Sequence, residues 1–336
     1  MKVAIIGCGG MGTMHIRSLK ILSEKYNIEV VALADCRSEF LEKATATWPK
    51  AKKYNLGMDL INDGMELDFI DICLPSYLHT EHAIKAMERG YNIFVEKPVC
   101  LTKEEGVKLI ETQKKTNVKA MVGHVVRFFE EYQFLKKIYE EKTYGKLKSL
   151  IMHRIGGKPT WGFENWFINE EKSGSVVLDL HIHDLDFIRY MLGEPKEFRV
   201  NTTSYTDGMI NQIISTYKFD ETFAVVEGTW DETPCVNFEA YYRASFEDAT
   251  VIYHSNLEPK VQIFKKNDTV QVYEYKDSVK EINTTNVINI SEIAPYKREL
   301  EYFINCILLD KEVEIANIED SVKTVNLAIN EKEKRY

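Results

Sequence analysis

The residues Gly7-Cys8-Gly9-Gly10-Met11-Gly12 follow the apolar run Lys2–Ile6 at once and open an amphipathic stretch, Met14–Glu24. A strand that turns through G-x-G-x-x-G into a helix leaves a chain few folds to adopt. The first glycine permits the tight turn, the second lets a pyrophosphate approach the backbone, and the third lets helix and strand pack closely. The helix N-terminus adds N–H donors and the positive end of its dipole. Gly7, Gly9, Gly10, Met11 and Gly12 are therefore expected to cradle a dinucleotide. Alone, the hexapeptide is a weak signal. Asp35 strengthens it, because it ends the next apolar run, Glu29–Ala34, about 20 residues on, where such folds place a ribose-binding carboxylate. A carboxylate accepts from ribose hydroxyls and repels a 2′-phosphate, which favours NAD. Arg37, two residues further, suits that phosphate instead, so NADP stays open as an alternative.

The rest of the first third keeps this rhythm. Strand-like runs Phe69–Leu74 and Asn92–Val95 alternate with helical stretches Glu39–Thr47, Thr80–Arg89 and Lys103–Lys115. Such alternation implies βαβ units and a parallel sheet. Gly90 fits a C′ cap before the following strand. Asp71 is a polar guest in its strand, which a half-exposed end or a local hydrogen bond would explain.

Character changes after Gly123. A helix is expected over Phe129–Glu141, a strand over Lys146–Arg154, a loop rich in glycine and tryptophan over Gly156–Gly174, and a helix over Ser175–Leu192. Alternating stretches follow at Glu197–Tyr205, Ile210–Phe219, Thr222–Trp230, Phe238–Phe246, Ala249–His254, Val261–Lys265 and Val270–Tyr275. Period-two patterning with turn signals such as Asn267-Asp268 indicates a largely antiparallel sheet with one solvated face. Helices return at Tyr296–Leu309 and Asp320–Glu333. The expected fold class is α/β: a Rossmann domain over residues 1–123, then an α+β domain over 124–336 with a large open, mostly antiparallel sheet. The C-terminal helices are candidates to pack back on the first domain.

At 336 residues the chain has length for two cores. Its formal charge of −9 argues against nucleic acid or an anionic membrane as a general partner. Six scattered cysteines without a C-x-x-C pair suit reduced thiols, and the opening apolar run is too short for a signal peptide, so a cytoplasmic protein is expected.

Further motifs carry a family likeness. Leu74-Pro75-Ser76-Tyr77-Leu78-His79 is followed by Val95-Glu96-Lys97-Pro98, then by Gly123-His124-Val125-Val126-Arg127-Phe128. Ser173-Gly174-Ser175 leads into Asp179-Leu180-His181-Ile182-His183-Asp184-Leu185-Asp186. In this order, across nearly the whole chain, these resemble the Gfo/Idh/MocA family, which includes glucose–fructose oxidoreductase and inositol dehydrogenase. The resemblance implies that Lys97 lies beside nicotinamide and substrate, and that Asp179 and His183 face them. It implies that Leu74, Pro75, His79 and Glu96 line the nicotinamide side, and that Lys97–Pro98 is a candidate cis peptide. It also implies a homodimer or homotetramer formed through the second-domain sheet.

Oxidising a secondary alcohol needs a base for the hydroxyl proton while the cofactor carries the hydride. Asp179 and His183 are four apart in an expected helix and so share a face, where the carboxylate can orient the imidazole. His183 is assigned as proton acceptor, Asp179 as its orienter, and Lys97 as hydroxyl donor or alternate base. Which of the two takes the proton is left open. Arg127, Arg154, Trp161, Asn165 and Trp166 are candidate substrate contacts, since arginine and asparagine bond sugar hydroxyls and indole rings stack on a pyranose. Tyr132 and His153 are weaker candidates, and Tyr241 and Tyr242 suit sheet packing. His181 stands where the family commonly has glycine, and it is read as a packing residue or a further substrate contact. The Asp179–Asp186 run raises metal ligation, but His181 would project away from His183 and ligand spacing is not met, so no metal is expected.

The function expected is NAD(P)-dependent oxidation or reduction at a secondary alcohol of a sugar, inositol or polyol. Two alternatives stand beside it: a redox-neutral enzyme that cleaves or epimerises glycosides with tightly held NAD, and a non-catalytic regulatory protein.

Overall fold

In a computed structural model, which describes residues 1–205, 208–233, 235–274 and 293–334, the chain forms two units. One comprises Met1–Val125 with the described residues of Lys280–Val325; the other comprises Val126–Val279 and Asn326–Tyr336 as far as these are described.

The first unit runs β1 (Lys2–Ile6), α1 (Gly10–Leu22), β2 (Glu29–Ala34), α2 (Ser38–Thr47), β3 (Lys52–Tyr54), α3 (Gly57–Asn62), β4 (Phe69–Ile72), α4 (His79–Glu88), β5 (Asn92–Glu96), α5 (Lys103–Thr116) and β6 (Ala120–Gly123). These strands form one sheet in the order β3-β2-β1-β4-β5-β6, every neighbouring pair parallel. β1, β4 and β5 are buried along almost their whole length, as strands covered on both faces must be. β3, α3 and β6 are absent from the sequence-based expectation, which has four strands here. Lys52-Lys53-Tyr54 has no apolar signal, α3 is a turn and a half, and β6 is a run of only four residues.

Asp71 is not at a half-exposed end; hydrogen bonding explains it, locally from Cys73 Sγ at 3.4 Å and from farther along the chain. It is wholly buried in mid-sheet, and its partner is His15 of α1, distant in sequence. Gly90 takes φ +83° just after α4, a value that favours glycine at a C′ position.

α5 starts with a capping box. The Thr102 side chain accepts from the Glu105 N–H at 3.2 Å, and Glu105 accepts from the Thr102 N–H at 3.2 Å. Thr102→Ala is expected to cost about 1 kcal/mol. Equilibrium denaturation checks this, and an unchanged midpoint would contradict it.

The second unit runs α6 (Glu130–Glu140), β7 (Leu147–Gly157), α7 (Glu170–Ser173), α8 (Ile182–Leu192), β8 (Glu197–Ser204), β9 (Ile210–Lys218), β10 (Phe223–Asp231), β11 (Glu239–Phe246), β12 (Ala249–His254), β13 (Val261–Lys265) and β14 (Val270–Val272). The last expected strand reaches Tyr275, which lies outside the described residues. The chain then returns as α9 (Ala294–Leu308), in the first unit, and α10 (Ile318–Glu333), whose residues up to Val325 group with the first unit and the rest with the second. The second sheet has the order β14-β13-β12-β11-β7-β10-β9-β8; β7 and β10 are parallel and the other pairs antiparallel.

Alternation in β7 buries Leu150, Met152 and Arg154 and leaves Ile151 and His153 half-exposed. The buried face carries an aromatic cluster in which Tyr132 of α6 meets Phe187, Tyr242 and Tyr253 edge-on. Tyr242 is thus core, whereas Tyr241 stacks on His153 across the opposite face.

The expected helix over Ser175–Leu192 is not uniform. Ser175 has φ +66°, and Val177–His181 forms a π-helical turn before α8. Turns of this type accommodate an extra residue in a helix and recur at functional sites.

Candidate active site

The cradle is built from close approaches that only glycine tolerates. Gly7 has φ +91°, and a Cβ on it would lie 2.4 Å from the Cys73 carbonyl oxygen. A Cβ on Gly12 would lie 1.8 Å from the Gly7 oxygen, so the third glycine lets α1 start against β1. α1 begins after Gly9 with no side-chain cap and no acid in its first turn. Its first N–H groups therefore suit an anion, and the residues present fit a dinucleotide pyrophosphate. Asp35 is buried at the end of β2; one carboxylate oxygen accepts from the Cys8 N–H (2.8 Å) and the other from the Arg37 N–H (2.9 Å). Arg37 Nε also donates to it at 3.1 Å, and the guanidinium lies over Phe40. Arg37 Nη2 donates to the second oxygen at 3.3 Å, so the roughly four lone-pair sites of Asp35 are all engaged and a ribose hydroxyl is accepted only in place of the guanidinium.

Gly7, Asp35, Leu74, Pro75 and Lys97 all follow the carboxyl ends of parallel strands. They share one sheet edge, with the strand order reversing between β1 and β4, which is where open α/β sheets bind ligands. Lys97–Pro98 is cis, and Lys97 is half-buried.

His79 and Glu96 differ from the expectation that they line the cofactor. His79 is enclosed: Nδ1 lies 2.7 Å from the Pro98 oxygen and Nε2 2.6 Å from the Leu74 oxygen. Both ring nitrogens face backbone carbonyls and burial lowers the pKa of the ring, so the neutral imidazole donates to one of them and His79 packs between the turns after β4 and β5. Glu96 is also buried, its carboxylate turned back to accept from the Lys97 N–H at 3.2 Å.

In the second unit, Asp179 lies in the π turn and His183 at the start of α8, both half-buried. The two arginines expected to bind substrate do something else. Arg127, 2% exposed, makes two 2.7 Å hydrogen bonds to Asp186 and covers the Tyr190 ring. Arg154 is bound to Asp184 (2.8 Å) and to the Tyr132 hydroxyl (3.0 Å), and these partners raise its pKa despite complete burial, which alone would lower it. The α8 acids are two apart, so each takes one arginine. Tyr132 is thereby a core partner, and His153 lies on the other sheet face, 2.5 Å from Glu239. Neither weaker substrate candidate is available to a ligand of the Asp179 region.

Of the two readings of His181, packing holds and the substrate contact does not. The residue is 0% exposed, with Nε2 3.1 Å from both the Tyr217 hydroxyl and a Glu331 oxygen, and Tyr217 in turn donates to Glu331. A Cβ on Gly228 would lie 2.7 Å from the His181 Cβ, so β10 makes room for it. This is packing that anchors the π turn, not a substrate contact. Trp161 and Asn165 are exposed, whereas Trp166 stacks on Phe167 at 3.9 Å. Among the described residues, groupings with metal-ligand spacing centre on His15 and do not include the Asp179–Asp186 run.

A model described as an oxidoreductase family with an NAD-binding Rossmann fold matches residues 1–124, and its C-terminal domain counterpart, GFO/IDH/MocA, matches residues 132–251. The chain belongs to the Gfo/Idh/MocA family. Its first unit is accordingly an NAD-binding Rossmann domain. Relatives include the myo-inositol 2-dehydrogenase of Thermotoga maritima, 30% identical over 59% of this chain and 56% of that protein. A 2,7-anhydro-N-acetylneuraminate hydratase of Escherichia coli is 31% identical over 42% of this chain and 37% of that protein. The chain matches about half the length of such relatives or less. Levoglucosan dehydrogenase in complex with NADH shares the fold at a TM-score of 0.85 and 18% identity, covering 99% of this chain and 96% of the other.

The sequence reading missed the buried His15 and Glu299, and it noted Asp71 without its partner. The one available signal was Asp71, a charge inside an apolar strand.

Proposed function

We propose that this protein is an NAD-dependent dehydrogenase acting on a secondary alcohol of a sugar, inositol or related polyol, as a cytoplasmic homo-oligomer. One observation carries the reading: the dinucleotide cradle, Asp35 and Lys97 stand on the same edge of one parallel sheet. Bound NAD supplies the hydride acceptor, which leaves the protein to orient the alcohol and manage one proton. Lys97 donates to the hydroxyl or, as the amine, accepts its proton; His183, oriented by Asp179, is the other acceptor. The exposed Trp161 ring, 53% accessible, offers a stacking surface for the apolar face of a sugar ring, and Asn165 offers polar bonds. Relatives named myo-inositol 2-dehydrogenase and D-glucoside 3-dehydrogenase favour a cyclic polyol or glycoside.

Six unbridged cysteines suit a reducing compartment. No described helix is long and apolar enough to cross a membrane. Ile214, Phe223 and Phe264 lie exposed on the second sheet's open face, which supports association through it. The hydratase relatives favour a second reading, since a hydratase has no net redox change.

Titrating the protein with NAD and then with myo-inositol, glucosides and anhydrosugars tests both. Reduced nicotinamide absorbance should grow with at least one polyol. Conversion without it selects the redox-neutral reading, and NAD binding without any conversion contradicts both.

Asp35→Ala should weaken NAD about 10–100-fold, the loss expected of hydrogen bonds to a charged group. It should also tighten NADP, because Arg37 loses the carboxylate it pairs with. An unchanged NAD-to-NADP ratio in calorimetric titration would contradict the assignment of Asp35 to the ribose.

A further inference from the structure

The first unit buries an ionisable cluster beneath the turn that carries Lys97. His15 of α1 is wholly enclosed, with Nδ1 2.9 Å from one Asp71 oxygen and 3.3 Å from the Cys73 sulfur. Its Nε2 lies 3.1 Å from Glu96 Oε1 and 3.9 Å from Glu299 Oε1, the latter from α9. The ring meets Phe94 edge-on at 5.4 Å and Tyr296 at 6.2 Å, which fixes its plane. A Cβ on Gly123 would lie 3.0 Å from Glu96 Oε1, so β6 leaves the space into which that carboxylate folds.

Three carboxylates around one imidazole cannot all be charged in a dry interior. Burial, then the Glu96 charge, pushes Glu299 well above the usual carboxyl range, and neither of its oxygens has a hydrogen-bond partner among the described residues. It is the neutral acid. Burial opposes charge on His15, but Asp71 and then Cys73 outweigh it and hold the imidazole protonated. Burial likewise opposes charge on Glu96, and the hydrogen bond and charge of His15, then Lys97, keep it ionised. The groups facing His15 are thus Asp71 and Cys73 from β4 and its end, Glu96 from β5 and Glu299 from α9.

We propose that His15 and Asp71 are positioning residues for Lys97: the Asp71–His15–Glu96 chain keeps the Glu96 carboxylate turned onto the Lys97 N–H, with Glu299 closing the chain from α9. The proposal rests on the assignment of Lys97 under Proposed function. Asp71 orients the ring through Nδ1, Nε2 faces Glu96 Oε1 at 3.1 Å as an ion pair without hydrogen-bond alignment, and Glu96 caps the first N–H of the Lys97–Pro98 turn. α1, which opens the dinucleotide cradle, is thereby tied to the strand end beside which Lys97 stands.

His15→Gln and Asp71→Asn keep size and remove charge. Each should lower kcat about 10–100-fold, the scale of loss when the hydrogen-bond partners that orient metal ligands are removed, with NAD affinity kept. Without the imidazolium, burial dominates at Glu96, so its carboxylate takes up a proton nearer neutrality and the pH–rate profile gains a new acid limb. Glu96→Gln should be as slow but lack that limb, and the His15→Gln/Glu96→Gln double variant should match it. NMR of isotopically labelled histidine nitrogens gives a readout independent of turnover: His15, identified by its loss in His15→Gln, should remain doubly protonated at neutral pH and become neutral in Asp71→Asn. A neutral ring in the parent protein, wild-type pH profiles in both variants, or a stoichiometric divalent metal in the purified protein would overturn the proposal. Should Lys97→Met itself keep full turnover, the assignment of Lys97 falls and the positioning role with it; should it lose turnover while both variants keep the parent profile, only the positioning role falls.

Discussion

Lys97→Met is expected to lower turnover about 10²–10⁴-fold, the usual contribution of a positioned acid or base, while NAD binds as before. The cradle sits at the end of β1 and Lys97 at the end of β5, with β4 between them in the sheet. Methionine keeps the length of the side chain and loses the ammonium, so the cis turn and the His79 ring packed between the Leu74 and Pro98 carbonyls stay in place. Steady-state kinetics beside a cofactor titration separate the two effects. Unchanged kcat would move the proton role wholly to His183, and a lost NAD affinity would mean that Lys97 serves cofactor binding instead. His183→Asn measured in parallel decides between the two candidate acceptors, since the one that takes the proton also sets the basic or acidic limb of the pH–rate profile.

The second large effect concerns stability. Arg127→Ala should destabilise the second unit by about 3–5 kcal/mol, because it leaves the Asp186 carboxylate buried without its two hydrogen bonds. Replacing both partners, Arg127→Met with Asp186→Leu, should restore much of that loss, since a well-packed apolar pair of similar volume removes the stranded charge. Denaturation midpoints of the two single variants and the double close the cycle. A substrate-binding arginine would give the opposite pattern, a raised KM with unchanged stability. That outcome would reinstate the reading from sequence.

The contrast between these residues shows what the sequence makes legible. The strand–glycine–helix turn is legible because sterics leave glycine alone at Gly7 and Gly12, and the structure bears out the close approaches. The parallel and antiparallel halves are legible because burial on two faces or one imposes continuous or alternating apolar patterns. Arg127, Arg154 and the substrate-contact alternative for His181 are misread for a common reason. A charged side chain in a motif-rich region looks like a ligand contact until its partner is known, and the partners Asp186, Asp184 and Glu331 come from other elements. The π turn is hidden because one extra residue in a helix leaves no compositional mark. Asp71 had left a mark, and its meaning required His15 to be placed beside it.

Isotope transfer tests the central claim most directly. The protein is incubated with NAD and a polyol deuterated at its carbinol carbons, and the reduced cofactor is weighed by mass spectrometry. Hydride transfer predicts NADH that accumulates one mass unit heavier, and its loss in Lys97→Met. Conversion of the polyol with no labelled NADH, or bound NAD that is never reduced by any member of the panel, would contradict it.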